Sequence, residues 1–162
     1  MTRYVCAAAL AVAFIFAGPT TGWSQAPAQL VEQRQEIMKS LWPAYYQEMA
    51  RVVRGQSTDM PGVASRASQA SEALKKAGQA FAPGTGRDAV PKTRATPAVW
   101  TQRADFEAAL MRLITETDAI GSAAKSGNLD AVKAQWWKVA EACGGCHGGP
   151  AKSGGKFRFE EP

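Results

Sequence analysis

Four stretches of this chain repeat apolar residues every three or four positions, and this pattern limits the fold more than any other feature of the sequence. Such a spacing places the apolar side chains on one face of an α-helix, whereas a strand would alternate them. The pattern predicts helices over about residues 28–54, 62–81, 97–124 and 129–147. Four amphipathic helices with short connections favour an all-α fold, an antiparallel up-down-up-down four-helix bundle.

Glycine, proline and asparagine mark the expected ends and irregularities of these helices. Pro43 falls inside the first helix and should kink it, because proline lacks the N–H that bonds to the i−4 carbonyl. Gly55 should end that helix, and Asn128 is placed to cap the start of the fourth.

The first 26 residues have the composition of a secretory signal peptide. Arg3 precedes an apolar run of about 14 residues, which is too short to span a bilayer. Small residues follow, with Ser24 and Ala26 placed like a signal-peptidase site. We predict cleavage after Ala26, export to the periplasm and no stable membrane insertion afterwards; the alternative is an N-terminal anchor.

The remaining chain divides into a bundle domain over residues 27–149 and a glycine-rich C-terminal tail over residues 150–162. The whole chain has 19 Lys and Arg residues against 14 Asp and Glu residues. The basic residues are scattered and are not interleaved with aromatic residues, so we expect no nucleic-acid binding. A mild positive charge can still steer an acidic protein partner.

The stretch EACGGCHGGP, residues 141–150, contains the pattern Cys-x-x-Cys-His. Its members are Cys143, Cys146 and His147, the single histidine of the chain. Spacings of three and four residues place all of them on one helix face. This pattern is typical of c-type haem attachment, in which the histidine is the proximal iron ligand.

Other uses of this motif fit less well. A structural zinc site needs four ligands, and the predicted mature chain has two cysteines and one histidine. A thioredoxin-like Cys-x-x-Cys follows a strand and begins a helix, whereas this one ends a helix. A disulfide would leave His147 unexplained. We therefore predict one haem c, attached covalently through Cys143 and Cys146.

The second axial position of the iron cannot be a histidine of the same chain. The mature chain offers four methionines, Met38, Met49, Met60 and Met111. Met38 is the best candidate, because the start of the first helix is adjacent to the end of the fourth in such a bundle. Its other interpretation is core packing, for which methionine is well suited.

These features together resemble the cytochrome c prime family, the class II c-type cytochromes, which carry this motif near the C-terminus of a four-helix bundle. The stretch EQRQEIMK is similar to the family's first-helix motif. This similarity implies that Arg34 and Gln35 lie near the haem propionates and Met38 at the distal position. Arg34 could instead be an exposed helix charge.

The tail departs from the family pattern. Members often have an aromatic and a basic residue within one turn after the histidine, whereas here Phe157 and Arg158 follow about ten residues later. A tail that folds back would return Arg158 to the proximal side.

The resemblance implies one of two functions. The first is one-electron transfer in the periplasm, with His147 and Met38 as ligands and a redox protein as partner. The alternative is a five-coordinate iron that binds nitric oxide or carbon monoxide. We predict no enzyme activity, since no catalytic constellation stands out. An interaction module without haem would require the motif to be accidental.

The resemblance also implies a homodimer through the first two helices, with Trp42, Tyr45 and Tyr46 available for contact.

Overall fold

The structure is a computed structural model that describes residues 25–148 and 154–159. The predicted signal peptide lies outside these ranges except for its last two residues. The helices are α1 (Pro27–Leu41), a π-helical segment (Trp42–Gln47), α2 (Glu48–Val53), α3 (Met60–Gln79), α4 (Ala98–Thr101), α5 (Arg103–Lys125) and α6 (Leu129–His147).

These helices form the predicted antiparallel four-helix bundle. The first long helix is α1, the π segment and α2 in succession, and it is followed by α3, by α4 with α5, and by α6. α3 packs against α5, α5 against α6, α1 against α3, and α2 against α6. No helix in the described part of the chain is both long and apolar enough to cross a membrane.

The irregularity expected at Pro43 takes the form of the π segment Trp42–Gln47. A π turn accommodates a residue that cannot donate its N–H, and it does so without ending the helix. The segment directs Tyr45 into the core, where the residue is 6% exposed. Tyr45 is therefore not available to a partner, contrary to our expectation, whereas Trp42 is 59% exposed.

The helix ends follow from local hydrogen bonds. The side chain of Asn128 accepts a bond of 2.9 Å from the amide of Ala131, which confirms the predicted cap. Asp59 caps α3 in the same way by accepting 2.9 Å from Gly62. The third predicted helix is interrupted at Gln102, whose φ of −123° and ψ of 51° are not helical.

The apolar core has two parts. The larger one fills the middle of the bundle and includes Met49 and Val139, both fully buried. The smaller one contains Val99, Phe106 and Phe157, so the C-terminal tail contributes to the core of the bundle domain. Both parts reach the cysteine-bearing end of α6, since Cys143 packs against the first and Cys146 against the second.

Candidate functional site

The last turn of α6 carries Cys143, Cys146 and His147, and all three side chains are half-buried. The helix ends directly afterwards at Gly148, whose φ of 86° is left-handed. The Gly148 amide donates to the carbonyl of Gly144 over 2.8 Å, which completes the turn. The local sequence thus holds the whole motif on one rigid helix end.

Both cysteines are free thiols in the structure. Burial raises the pKa of Cys143 to about 11, with a smaller contribution from Cys146. Burial also raises the pKa of Cys146. Because the two sulfurs lie at the two core clusters, a group bonded to both would contact apolar side chains of each.

His147 is a neutral imidazole at physiological pH. Burial lowers its pKa to about 4, and the positive charges of Arg158 and Arg94 lower it further. A neutral imidazole has a nitrogen lone pair that can bind a metal. The single histidine of the chain therefore has the protonation state that an iron ligand requires.

The C-terminal tail returns over the end of α6. The Phe157 amide donates to the carbonyl of Cys146 over 3.4 Å, and its ring lies edge-on to Phe106 at 5.5 Å. A Cβ atom on Gly148 would collide with the carbonyl oxygen of Gly154, so this close approach requires glycine. The tail folds back and brings Arg158 beside His147.

The tail is also tied to the loop before α4. The Thr96 amide donates to the carbonyl of Phe157 over 3.2 Å, and the Phe159 amide donates to the carbonyl of Arg94 over 2.8 Å. The Thr96 hydroxyl donates to the carbonyl of Lys156 over 2.6 Å. This pairing places Arg94 at the site. Sequence reasoning did not select Arg94, because only the hydrogen bonds between its loop and the returning tail bring it there.

Arg34 is buried, at 3% exposure, so it is not an exposed helix charge. It connects α1 to the loop that follows α3. Its guanidinium donates to the carbonyl of Ala80 over 2.9 Å, to the hydroxyl of Thr85 over 2.8 Å and to the carbonyl of Thr85 over 2.8 Å. It also donates to the hydroxyl of Thr93 over 2.6 Å and lies over the Phe81 ring at 4.3 Å. Burial lowers its pKa to about 10, and it remains a cation at pH 7.

The propionate contact proposed for Arg34 stays a prediction, and the bonds given above all go to neutral acceptors. Gln35 lies beside it and donates to the carbonyl of Lys92 over 3.1 Å, in an exposed position. Its contact with a propionate also stays a prediction. Both residues fasten the first helix to the same loop.

The four candidate methionines differ in environment. Met49 is fully buried in the larger core, and Met111 is 61% exposed. Met60 begins α3. Met38 is half-buried on α1, and its ligation stays a prediction.

Met38 and the motif lie on two different helices, α1 and α6. α1 packs against α3, α6 packs against α5 and α2, and the two described helices α1 and α6 do not pack against each other. The donor set consists of two free thiols and a neutral imidazole. Apolar clusters surround both sulfurs, and this combination fits a covalently attached haem.

A sequence profile of the family described as Cytochrome C′ matches residues 29–149 of this chain. The chain belongs to the cytochrome c′ family. A cytochrome c′ from Rubrivivax gelatinosus is 32% identical over 124 residues, which are 76% of this chain and 94% of that protein. Members of the family carry covalently bound haem c, and the assignment to class II c-type cytochromes is confirmed.

Solved cytochrome c′ structures have the same fold. The crystal structure of the Rubrivivax gelatinosus protein superposes with a TM-score of 0.71 at 29% identity, covering 83% of this chain and 98% of that one. A variant from Alcaligenes xylosoxidans with bound NO superposes with a TM-score of 0.70 at 23% identity, covering 83% and 97%. The second likeness concerns the fold alone.

The lowered pKa of His147 predicts a loss of stability in acid. An unfolded chain takes up a proton at an ordinary histidine below about pH 6.5, whereas the folded chain does so only near pH 4. The free energy of unfolding should therefore fall as the pH drops from 6.5 to 4, by up to roughly 3 kcal/mol from this group. Denaturant unfolding of the haem-free protein across this range, in which no iron occupies the His147 imidazole, measures it.

The Arg158→Gln variant is the control for this prediction. Removing a positive charge beside His147 raises the pKa of the imidazole, so the variant should lose less stability over the same pH range. An unchanged pH dependence in the variant would contradict the assigned contact.

Proposed function

We propose that this protein is a periplasmic haem c protein whose iron, bound by His147 on one side, takes a small diatomic gas on the other. Nitric oxide and carbon monoxide are the ligands we favour. The relatives are cytochromes c′, and the Alcaligenes xylosoxidans neighbour was solved with NO bound. These similarities support gas binding better than electron transfer through a His/Met-ligated iron.

The observation that carries this proposal is that α1, which bears Met38, does not pack against α6, which bears the motif. Arg34 fastens α1 to the loop after α3, and α1 packs against α3 instead of α6. Met38 lies on α1, and these contacts hold α1 against α3 and its loop. The distal side of the iron would therefore be accessible to a diatomic ligand.

The residues of the chain have distinct roles in this proposal. Cys143 and Cys146 would attach one haem, and His147 would hold the iron on the proximal side. The bound haem would supply the ferrous iron that forms the bond to the gas. The two apolar clusters at the cysteines exclude water, and Arg158 keeps a positive charge beside the ligating imidazole. Binding would occur without turnover, so the protein would not be an enzyme.

Electron transfer is the second candidate. It is favoured by the position of Met38, the candidate methionine that lies on α1 and is neither fully buried nor fully exposed. A thioether opposite a histidine raises the reduction potential and suits an electron carrier. A periplasmic redox partner and a homodimer stay predictions that accompany this function.

Optical spectra of the holoprotein and of Met38→Ala separate the two functions. We expect a high-spin ferric spectrum and a ferrous spectrum that shifts on adding carbon monoxide, both nearly unchanged in Met38→Ala. Met111→Ala is the matched control, since Met111 is exposed on α5. A low-spin spectrum with a methionine–iron charge-transfer band that disappears only in Met38→Ala would overturn gas binding and favour electron transfer.

A further inference from the structure

We propose that an acidic one-electron donor protein docks at the rings of Trp42, Tyr46, Trp136 and Trp137 and passes its electron through them to the haem. We call these four residues the aromatic chain. The inference rests on the haem attachment proposed above and is independent of which gas the iron binds. Because that function uses ferrous iron, the ferric protein first needs one electron. The donor loses this electron and the iron gains it, and no bond forms or breaks.

The four rings of the aromatic chain contact one another in series. The rings of Trp42 and Tyr46 are stacked, with 4.9 Å between their centroids and 17° between their planes. Tyr46 contacts Trp136 at 5.3 Å, and Trp136 contacts Trp137 at 4.6 Å. These are the centroid distances of favourable aromatic pairs. The chain therefore offers a packed route between the first long helix and α6, because electrons tunnel faster through contacting atoms than across gaps.

Both ends of the aromatic chain reach the surface. Trp42 is 59% exposed and Trp137 is 63% exposed, whereas Trp136 is only 7% exposed. Tryptophan is highly buried on average, so two exposed indoles that are joined through more buried rings are unusual. Tryptophan, tyrosine and arginine are also the residues that contribute most to binding at protein interfaces. These exposed rings are therefore suited to contact with another protein.

The middle of the chain lies beside the cysteine that would carry the haem. Tyr46 and Cys143 pack against the same core cluster. Burial raises the pKa of the Tyr46 phenol, and the nearby Cys143 thiol raises it further. Trp136 precedes Cys143 by two turns of α6, so the two residues lie on one face of this helix. An electron that enters at Trp42 thus reaches the Cys143 attachment through one intervening ring, that of Tyr46.

The charges around Trp42 and Tyr46 favour an acidic partner. These two residues line an open cavity of about 330 Å³ together with Gln47, Glu48, Ala50, Arg51 and Arg54. Arg51 pairs with Glu48 at 3.4 Å, whereas Arg54 forms no ion pair with any residue that the structure describes. The positive charge of Arg54 opposes the rise in the pKa of Tyr46. The cavity has a net positive charge, which attracts an acidic surface and repels a second copy of the same face.

Stopped-flow reduction of the ferric holoprotein tests this surface, with a reduced two-iron ferredoxin of the plant type as the acidic donor. We expect Arg54→Glu to lower the second-order rate constant about tenfold at low ionic strength, which is the lower end of electrostatic steering effects. Lys76→Glu is the matched control, because Lys76 is exposed on α3 and α3 does not pack against α6. Equal rate constants for the two variants would overturn the proposal.

Two variants of Trp42 test the ring at unchanged charge. Trp42→Leu should slow the reduction at every ionic strength, and Trp42→Phe, which keeps a ring, should recover most of the rate. Reduction of Trp42→Leu at the rate of the unchanged protein would overturn the proposal. A holoprotein dimer that dissociates in Trp42→Leu would also overturn it, because a second copy would then cover this face.

Carbon monoxide binding separates this inference from the proposed function. Both Trp42 and Arg54 are exposed, so their variants should fold and carry haem as the unchanged protein does. After chemical reduction, these variants should show the same shift of the ferrous spectrum with carbon monoxide. A failure of gas binding would appear in this spectrum, in the unchanged protein as well, and would leave the differences in reduction rate intact.

Discussion

The double variant Cys143→Ser, Cys146→Ser is expected to lose all covalently bound haem. A serine hydroxyl does not form the thioether bonds by which the two sulfurs would hold the haem, and both thiols are free for this purpose in the structure. Pyridine haemochrome analysis of the denatured, acid-extracted protein should give about one haem c per chain for the unchanged protein. The same analysis should give none for the double variant, and haem staining of a denaturing gel gives an independent measurement.

Two controls make this result specific. Cys6→Ser changes the third cysteine, which lies in the predicted signal peptide, and should leave the haem content unaltered. His147→Ala should retain the thioether-bound haem and change only its optical spectrum, because the proximal ligand is lost. Covalent haem in the double variant would contradict the assigned attachment, and so would its loss in Cys6→Ser.

Local signals in the sequence were sufficient to predict the helices. Apolar periodicity identified all four long helices, and Asn128 marked the start of α6, because both depend on residues within one or two turns. Pro43 indicated where the first helix is irregular. Its π form was not predictable, since it also depends on how Tyr45 packs into the bundle core.

Contacts between distant segments were harder to predict. Arg34 was expected near the haem propionates from the family resemblance, but its partners Ala80, Thr85 and Thr93 lie in and beside an irregular loop 46 to 59 residues away. Apolar periodicity does not predict the conformation of such a loop. The return of the tail depends on the close approach of Gly148 and Gly154, which becomes visible only once both are placed in space.

The function, like the fold, could be predicted from local signals in the sequence only in part. The Cys-x-x-Cys-His motif near the C-terminus of a predicted four-helix bundle, with the first-helix stretch EQRQEIMK, was enough to predict the family, and the similarity to known cytochromes c′ confirms it. The sixth ligand was a weaker inference, because a methionine at that position serves equally well as a ligand or as core packing. Electron transfer was our first expectation from Met38, and gas binding, which was then the alternative, is the function that we now propose.

Replacing Arg34 by methionine should destabilise the protein by about 3 kcal/mol or more. The variant keeps much of the side-chain volume but removes every donor of the guanidinium. The carbonyls of Ala80 and Thr85 then stay buried without these bonds, and the contact with the Phe81 ring loses its cation. Denaturant unfolding of the holoprotein, followed by far-UV circular dichroism, measures the change in the free energy of unfolding.

Two further variants show whether this loss comes from the buried bonds. Arg51→Ala removes an exposed arginine of α2 that pairs with Glu48, and it should change the stability by roughly 0.5 kcal/mol or less. Arg34→Lys keeps the charge but cannot reach two carbonyls and two hydroxyls in one plane, so it should recover only part of the loss. Hydrogen exchange in Arg34→Met should also rise at the Thr85 and Thr93 amides. A variant as stable as the unchanged protein would mean that α1 is held against this loop by apolar packing alone.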